Sequence, residues 1–153
     1  MATIEIRNVT QNEKEEILKL ARNLVEEYED KNSLNYNQMV EKMRAGINQR
    51  IVDFKSIWFD RQLAGYFHIG KKDEQIIEVY FLYVYENFRK KHIGSQVLEH
   101  AVIQASNRNK ILQIQVSENN AYAIKFLTEF GFKKTNSNDS NVVVFEVDAR
   151  KKF

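Results

Sequence analysis

Cysteine and proline are both missing from this chain of 153 residues. Without a thiol, disulfides, thiolate zinc sites and cysteine nucleophiles are excluded. The three histidines, His68, His92 and His100, are scattered without metal-ligand spacing, which argues against a structural metal. No apolar stretch approaches the ~20 residues that span a bilayer, and the opening MATIEIRNVTQNEKEE has no apolar core of signal-peptide type. A cytoplasmic protein with no membrane partner is the expectation. Strong charge is lacking too: 23 basic against 21 acidic residues leave a net charge of +2, too mild to imply a nucleic-acid partner. Basic residues cluster only at Arg89–Lys91 and at Arg150-Lys151-Lys152, the latter a solvated tail. The missing proline has no functional reading.

What is present is a globular balance, 43% apolar and 29% charged residues, and residues 1–153 read as a single domain with a continuous core. A short strand around Ile4–Ile6 precedes Thr10-Gln11-Asn12-Glu13, which has capping-box spacing, and then Ile17, Leu20, Ala21, Leu24, Val25 and Tyr28 recur at helical spacing. After a polar linker, a second helix from about Asn37 to Gln49 would bury Met39, Val40, Met43 and Ile47. Three apolar runs, Phe54–Phe59, Leu63–Ile69 and Ile76–Tyr85, read as an antiparallel meander. A helix from near Ile93, a strand at Ile111–Val116, a helix from Asn120 to Phe130 stopped by Gly131 and a strand at Val142–Val147 complete the chain, with a further short strand at Phe132–Thr135. The order β-α-α-β-β-β-α-β-α-β predicts an α/β class of α+β type, a mixed sheet with helices on both faces.

The most informative stretch is Leu82 to Ser95, LYVYENFRKKHIGS. An apolar strand runs through a basic turn into a helix, whose first N–H groups and dipole favour an anion, with Arg89, Lys90 and Lys91 beside them. Leu82-Tyr83-Val84, a four-residue gap and Arg89-x-x-x-Ile93-Gly94 resemble motif A of the GNAT superfamily of N-acetyltransferases, the pyrophosphate loop for acetyl-CoA. Asn120-x-x-Ala123-Ile124-x-Phe126 with Phe130-Gly131-Phe132 resembles motif B. His92 stands where the family usually has its first glycine, and its Cβ calls for φ below zero there or a wider loop. Glu86 replaces the common proline.

The resemblance implies a GNAT-like acyl-CoA N-acyltransferase fold with a splayed central sheet and acetyl-CoA as cosubstrate. Its pyrophosphate would lie on the backbone of Arg89, Lys90, Lys91, His92, Ile93, Gly94 and Ser95. The pantetheine arm would bond unpaired backbone groups of Leu82 and Val84, with Asn120 bonding the arm and Phe126 packing near it. Helix capping is the other reading for Asn120 and can coexist with the ligand role, and ordinary core packing is the other reading for Phe126. Glu78 interrupts an apolar run, and strand alternation would set it on the face of Tyr80, Leu82 and Val84. It is either the general base for an acceptor amine or a charge on the wetter face of the sheet. The family's tyrosine acid is replaced by Leu127, which leaves the acid unassigned. Transfer of acetyl to a primary amine in a small molecule or peptide follows, by direct attack in a ternary complex. The alternative is a non-catalytic acyl-CoA-binding or sensing module. Glu26, Glu27, Glu29 and Asp30 suggest a cationic acceptor. Val142–Val147 is apolar enough to join a partner's sheet, so a homodimer is expected.

Overall fold

The computed structural model describes residues 3–135 and 141–150; Lys151 and Lys152 of the basic tail lie outside the described residues. The elements are β1 (Ile4–Asn8), α1 (Lys14–Glu26), α2 (Tyr36–Gln49), β2 (Phe54–Phe59), β3 (Gln62–His68), β4 (Gly70–Lys71), β5 (Ile76–Val79) and β6 (Leu82–Val84). They continue with α3 (Ile93–Asn107), β7 (Ile111–Ser117), α4 (Ala121–Phe130), β8 (Lys133–Thr135) and β9 (Val142–Asp148). Thr10 donates its N–H to the Glu13 carboxylate (2.6 Å), which fixes the turn into α1. Asp60 and Arg61 take φ of 50° and 65°, the double left-handed turn that suits the twist of the β2–β3 hairpin. At the other end of the chain Gly131 adopts φ 112° beyond α4. The N–H groups of Gly131 and Phe132 both return to the Leu127 carbonyl (3.2 and 3.0 Å), closing that helix by a glycine cap.

The run Ile76–Tyr85 is two strands, β5 and β6, in two different sheets. The first sheet has the order β1-β2-β3-β6 and the second β4-β5-β7-β9-β8. All pairings are antiparallel except β5 with β7. Both sheets share one bent hairpin, in which β3 continues into β4 and β5 into β6. Between the pairs Phe67↔Leu82 and Gly70↔Glu78 one strand advances by three residues and the other by four. The extra residue is a β-bulge at Tyr80–Phe81, and a bulge bends a strand and increases its twist.

The bulge also reverses the alternation of side chains. Phe81 and Tyr83 are buried with Ile17, Leu20 and Ala21 of α1 and Ile47 of α2 on one face of the first sheet. Leu82 and Val84 instead pack with Ile93 and Val97 of α3 on the opposite face. The expectation that Glu78 shares a face with Leu82 and Val84 is therefore corrected: a one-residue shift moves every later side chain to the other face. Helix α3 bridges the two sheets. Its Ile93 and Val97 belong to the first, while Leu98, Ala101 and Ala105 pack on the second beside Leu112, Ile114 and Leu127.

Strand β9 is paired by β7 along Val142–Asp148 on one side and by β8 along Val144–Glu146 on the other. The middle of the run Val142–Val147 is thus paired within the chain on both sides. No helix among the described residues is long and apolar enough to cross a membrane.

Gly65 of β3 lies opposite Val84, and a Cβ built there would come within 2.1 Å of the Tyr83 carbonyl oxygen, a backbone atom. Only a side chain ending at hydrogen lets β6 sit this close. Gly65→Ala is expected to lower unfolding stability by about 1–3 kcal/mol, the usual cost of overpacking. Urea denaturation of the two proteins measures it, and equal midpoints would contradict the close approach.

Candidate active site

The bulge leaves the Tyr80 N–H outside the strand ladder. His68 takes it: its Nδ1 accepts that N–H at 3.0 Å, while its own backbone N–H donates to the Phe81 carbonyl at 2.9 Å. One residue thus holds both sides of the break. Accepting at Nδ1 requires a neutral imidazole carrying its proton on Nε2. Burial, with the Arg50 cation nearby, depresses the His68 pKa from 6.5 to about 3, so the neutral form is kept.

Beyond the break β6 pairs only with β3, at the edge of its sheet. His68 N–H to Phe81 O and Tyr85 N–H to Ala64 O (2.8 Å) put the odd-numbered residues in the bonded positions. The backbone groups of Leu82 and Val84 consequently point away from β3, into the gap toward β7. Strand β5 covers β7 only as far as Ile114, which leaves Gln115–Ser117 beyond its pairing. The Val84 carbonyl accepts from Arg89 Nε at 2.9 Å, which confirms its outward direction.

At the end of this slot the basic turn enters α3. Lys90 and His92 take φ of 64° and 62°, so His92 occupies the left-handed region that favours glycine. Non-glycine residues carry strain there. Of the two alternatives for His92, φ below zero is excluded and the wider loop remains. The His92 side chain makes no cap bond to α3, whose first backbone bond runs from Gln96 N–H to His92 O (3.2 Å). The N–H groups of Ile93, Gly94 and Ser95 are thereby left pointing outward as an anion-binding terminus. Lys90 and Lys91 are exposed beside it. Arg89 is turned elsewhere: besides Val84 O it bonds the Glu27 carboxylate at the end of α1 and lies 5.2 Å from the Tyr83 ring centroid. A Cβ on Gly94 would meet Phe126 at 3.4 Å, so the start of α3 packs against α4. Phe126 also stacks on the exposed Tyr122, and Asn120 caps α4 by accepting the Ala123 N–H (3.1 Å).

Glu78 stands just before the bulge, with its side chain 13% exposed. It accepts from Arg50 Nε at 2.8 Å. The Arg50 guanidinium also lies 3.9 Å over the Tyr80 ring, so Glu78 and Tyr80 do face the same neighbour. Leu127 is buried in the core of the second sheet and has no titratable group to offer. The acidic segment at the end of α1 is largely engaged. Glu26 accepts from the Tyr36 hydroxyl (2.7 Å), Glu29 from Asn119 Nδ2 (3.3 Å) and Asp30 from the Asn32 N–H (2.9 Å). Two residues of this region, His68 and Arg50, are absent from the sequence-based expectation. Their partners lie 12 and 28 positions away in the chain, and no local pattern signals such pairings.

The splayed strands β5 and β6 thus lead to the start of α3. Residues 15–132 match the sequence profile of the acetyltransferase (GNAT) family. The chain belongs to that family. Among similar solved structures is the PaiA N-acetyltransferase of Thermoplasma acidophilum in complex with coenzyme A. It is 21% identical with a TM-score of 0.74, over 95% of this chain and 99% of that one. A GNAT family acetyltransferase of Elizabethkingia anophelis with acetyl-CoA bound is 16% identical with a TM-score of 0.69, over 95% and 98% of the two chains. Ard1 of Thermoplasma volcanium is 18% identical with a TM-score of 0.68, over 95% and 97%. At these identities the likeness is one of fold.

His68 generates a prediction on stability against pH. Its folded pKa of about 3 lies below its ordinary 6.5, so the unfolded chain binds the extra proton. Its contribution is fully present above pH 6.5 and is lost as pH falls toward 3, with a limiting slope of about 1.4 kcal/mol per pH unit. Removing the acceptor in His68→Phe should cost about 1–3 kcal/mol at pH 7 and flatten that slope. Urea denaturation from pH 7 to pH 4 checks both, and parallel pH profiles for the two proteins would contradict a neutral His68.

Proposed function

We propose that the protein is an N-acetyltransferase that moves acetyl from acetyl-CoA to a primary amine within a ternary complex. The observation that carries this reading is the continuity of the slot with the α3 terminus. Outward backbone groups at Leu82 and Val84 lead to the N–H groups of Ile93, Gly94 and Ser95. A ligand with amides at one end and phosphates at the other matches that order. The pantetheine amides would add to β6 as a further strand would, displacing Arg89 Nε from the Val84 carbonyl. The pyrophosphate would meet the backbone from Arg89 to Ser95, with Lys90 and Lys91 as counter-charges. Asn120 and Phe126 would line the pantetheine side. Acetyl-CoA bound there supplies the activated acetyl group.

Glu78 is assigned the proton. A primary ammonium has a pKa near ~10.4 and must be deprotonated before its lone pair can attack. The amine nitrogen bonds to the thioester carbonyl carbon, the carbon–sulfur bond breaks, and the nitrogen's proton passes to the Glu78 carboxylate directly or through water. A backbone N–H near Val84 would hold the oxyanion. With Leu127 buried, thiolate departure proceeds without a tyrosine acid, and water supplies its proton. Leu127 is also the observation that favours a non-catalytic acyl-CoA-binding module.

The test is titration calorimetry with acetyl-CoA, followed by amine-dependent thiol release across a panel of primary amines. Saturable binding with turnover is expected. Binding without turnover would select the binding module, and no binding would remove both readings. Glu78→Gln should lower kcat roughly 10²–10⁴-fold with acetyl-CoA affinity nearly intact.

A further inference from the structure

The Arg50 guanidinium is held on three sides. Arg50 caps the C-terminus of α2, and its N–H bonds the Ile47 carbonyl (3.0 Å), in the tighter pattern that leaves the Gly46 carbonyl without its usual helical donor. Its Nη1 returns to that carbonyl at 3.1 Å. Its face lies 3.9 Å over Tyr80, and its Nε donates to Glu78 Oε1 at 2.8 Å. Tyr80 is in turn pressed on α2, where a Cβ at Gly46 would fall 1.9 Å from the Tyr80 hydroxyl. The planar fork therefore has one orientation, set by a helix end and a ring, and it passes that orientation to a single carboxylate oxygen. The other oxygen, Oε2, has no hydrogen-bond partner among the described residues and is not buried away from water.

We propose that Arg50 is a positioning residue for acetyl transfer, fixing the Glu78 carboxylate through Oε1 so that Oε2 faces the incoming amine. The inference rests on the reading of Glu78 as the base and adds to it the element that aims it. Arg50 touches neither the amine nor the thioester. Its charge stays on Glu78 whichever amine is bound, and helix α2 is thereby tied to the bulge that opens the cofactor slot. A proton acceptor that wanders by an ångström loses up to about two orders of magnitude in rate. Substitution should accordingly be felt in kcat and leave acetyl-CoA binding alone.

The experiment compares Arg50→Ala, Arg50→Lys, Glu78→Gln and the double variant Arg50→Ala/Glu78→Gln, using thiol release for kcat and calorimetry for acetyl-CoA. Arg50→Ala should lose roughly 10–100-fold in kcat with acetyl-CoA affinity within about twofold of the parent. Arg50→Lys, which keeps the charge without the fork, should fall between them. Added guanidinium ion at low millimolar concentration should restore part of kcat in Arg50→Ala and none in the double variant. The double variant should be no slower than Glu78→Gln alone, because Arg50 acts through Glu78. Losses that multiply in the double variant, or an Arg50→Ala protein with parental kcat, would overturn the Arg50 role while leaving Glu78 as base. Parental turnover in Glu78→Gln would overturn the reading of Glu78 and the proposal together. If Arg50→Ala fails to fold, Arg50→Lys with the same kcat and affinity as the parent overturns it.

Discussion

The hydrogen bond from the Tyr80 N–H to His68 Nδ1 is the contact on which the rest of this structure depends. An extra residue in a strand leaves a backbone donor without a ladder partner, and an unpaired buried donor costs about 1–3 kcal/mol. His68 supplies an acceptor from the neighbouring strand while its own backbone continues the ladder to Phe81. Because the bulge is satisfied, it can persist, and because it persists β5 stays with β7 while β6 goes with β3. The slot between β6 and β7 follows. So does the reversal that turns Leu82 and Val84 toward α3 and leaves Glu78 and Tyr80 against the end of α2.

Charge around the slot is distributed by commitment. Two arginines that a sequence count would treat as free cations are already engaged, Arg89 with Glu27 and the Val84 carbonyl, Arg50 with Glu78 and the Gly46 carbonyl. Among the described residues Lys90 and Lys91 are exposed beside the α3 start without an ion pair, and most of the anion-binding capacity there is backbone. Backbone donors on a fixed helix carry no rotamer entropy to lose, which suits a ligand whose phosphates must be held in one register. The same logic explains how His92 can stand at a glycine-like position: the left-handed turn is imposed by the fold, and only its strain is borne by the side chain.

Much of this was readable from residue order. The strand, basic turn and helix from Leu82 to Ser95 are contiguous, and the Asn120 to Gly131 block carries its own cap and stop, so local spacing reports them. The core faces of α1 and α3 follow from the 3.6-residue period. The break at Tyr80–Phe81 did not announce itself, since an uninterrupted apolar run reads as one strand and a bulge leaves no compositional mark. His68 and Arg50 were invisible for a related reason. Each acts through a partner far along the chain, and an isolated histidine or a helix-end arginine looks the same in sequence whether it is solvated or holding a bulge. The left-handed φ of His92 is set by the turn and runs against the intrinsic preference of a residue with a Cβ, so residue type alone does not report it.

Amide hydrogen exchange measured residue by residue across β6 tests the central claim most directly. In the free protein the Tyr83 and Tyr85 amides, bonded to β3, should exchange slowly while those of Leu82 and Val84, facing the slot, exchange fast. Saturating acetyl-CoA should protect Leu82 and Val84 and leave Tyr83 and Tyr85 unchanged. Uniform protection of all four amides in the free protein, or no change at Leu82 and Val84 on saturation, would contradict a slot opened by the bulge and lined by outward backbone groups.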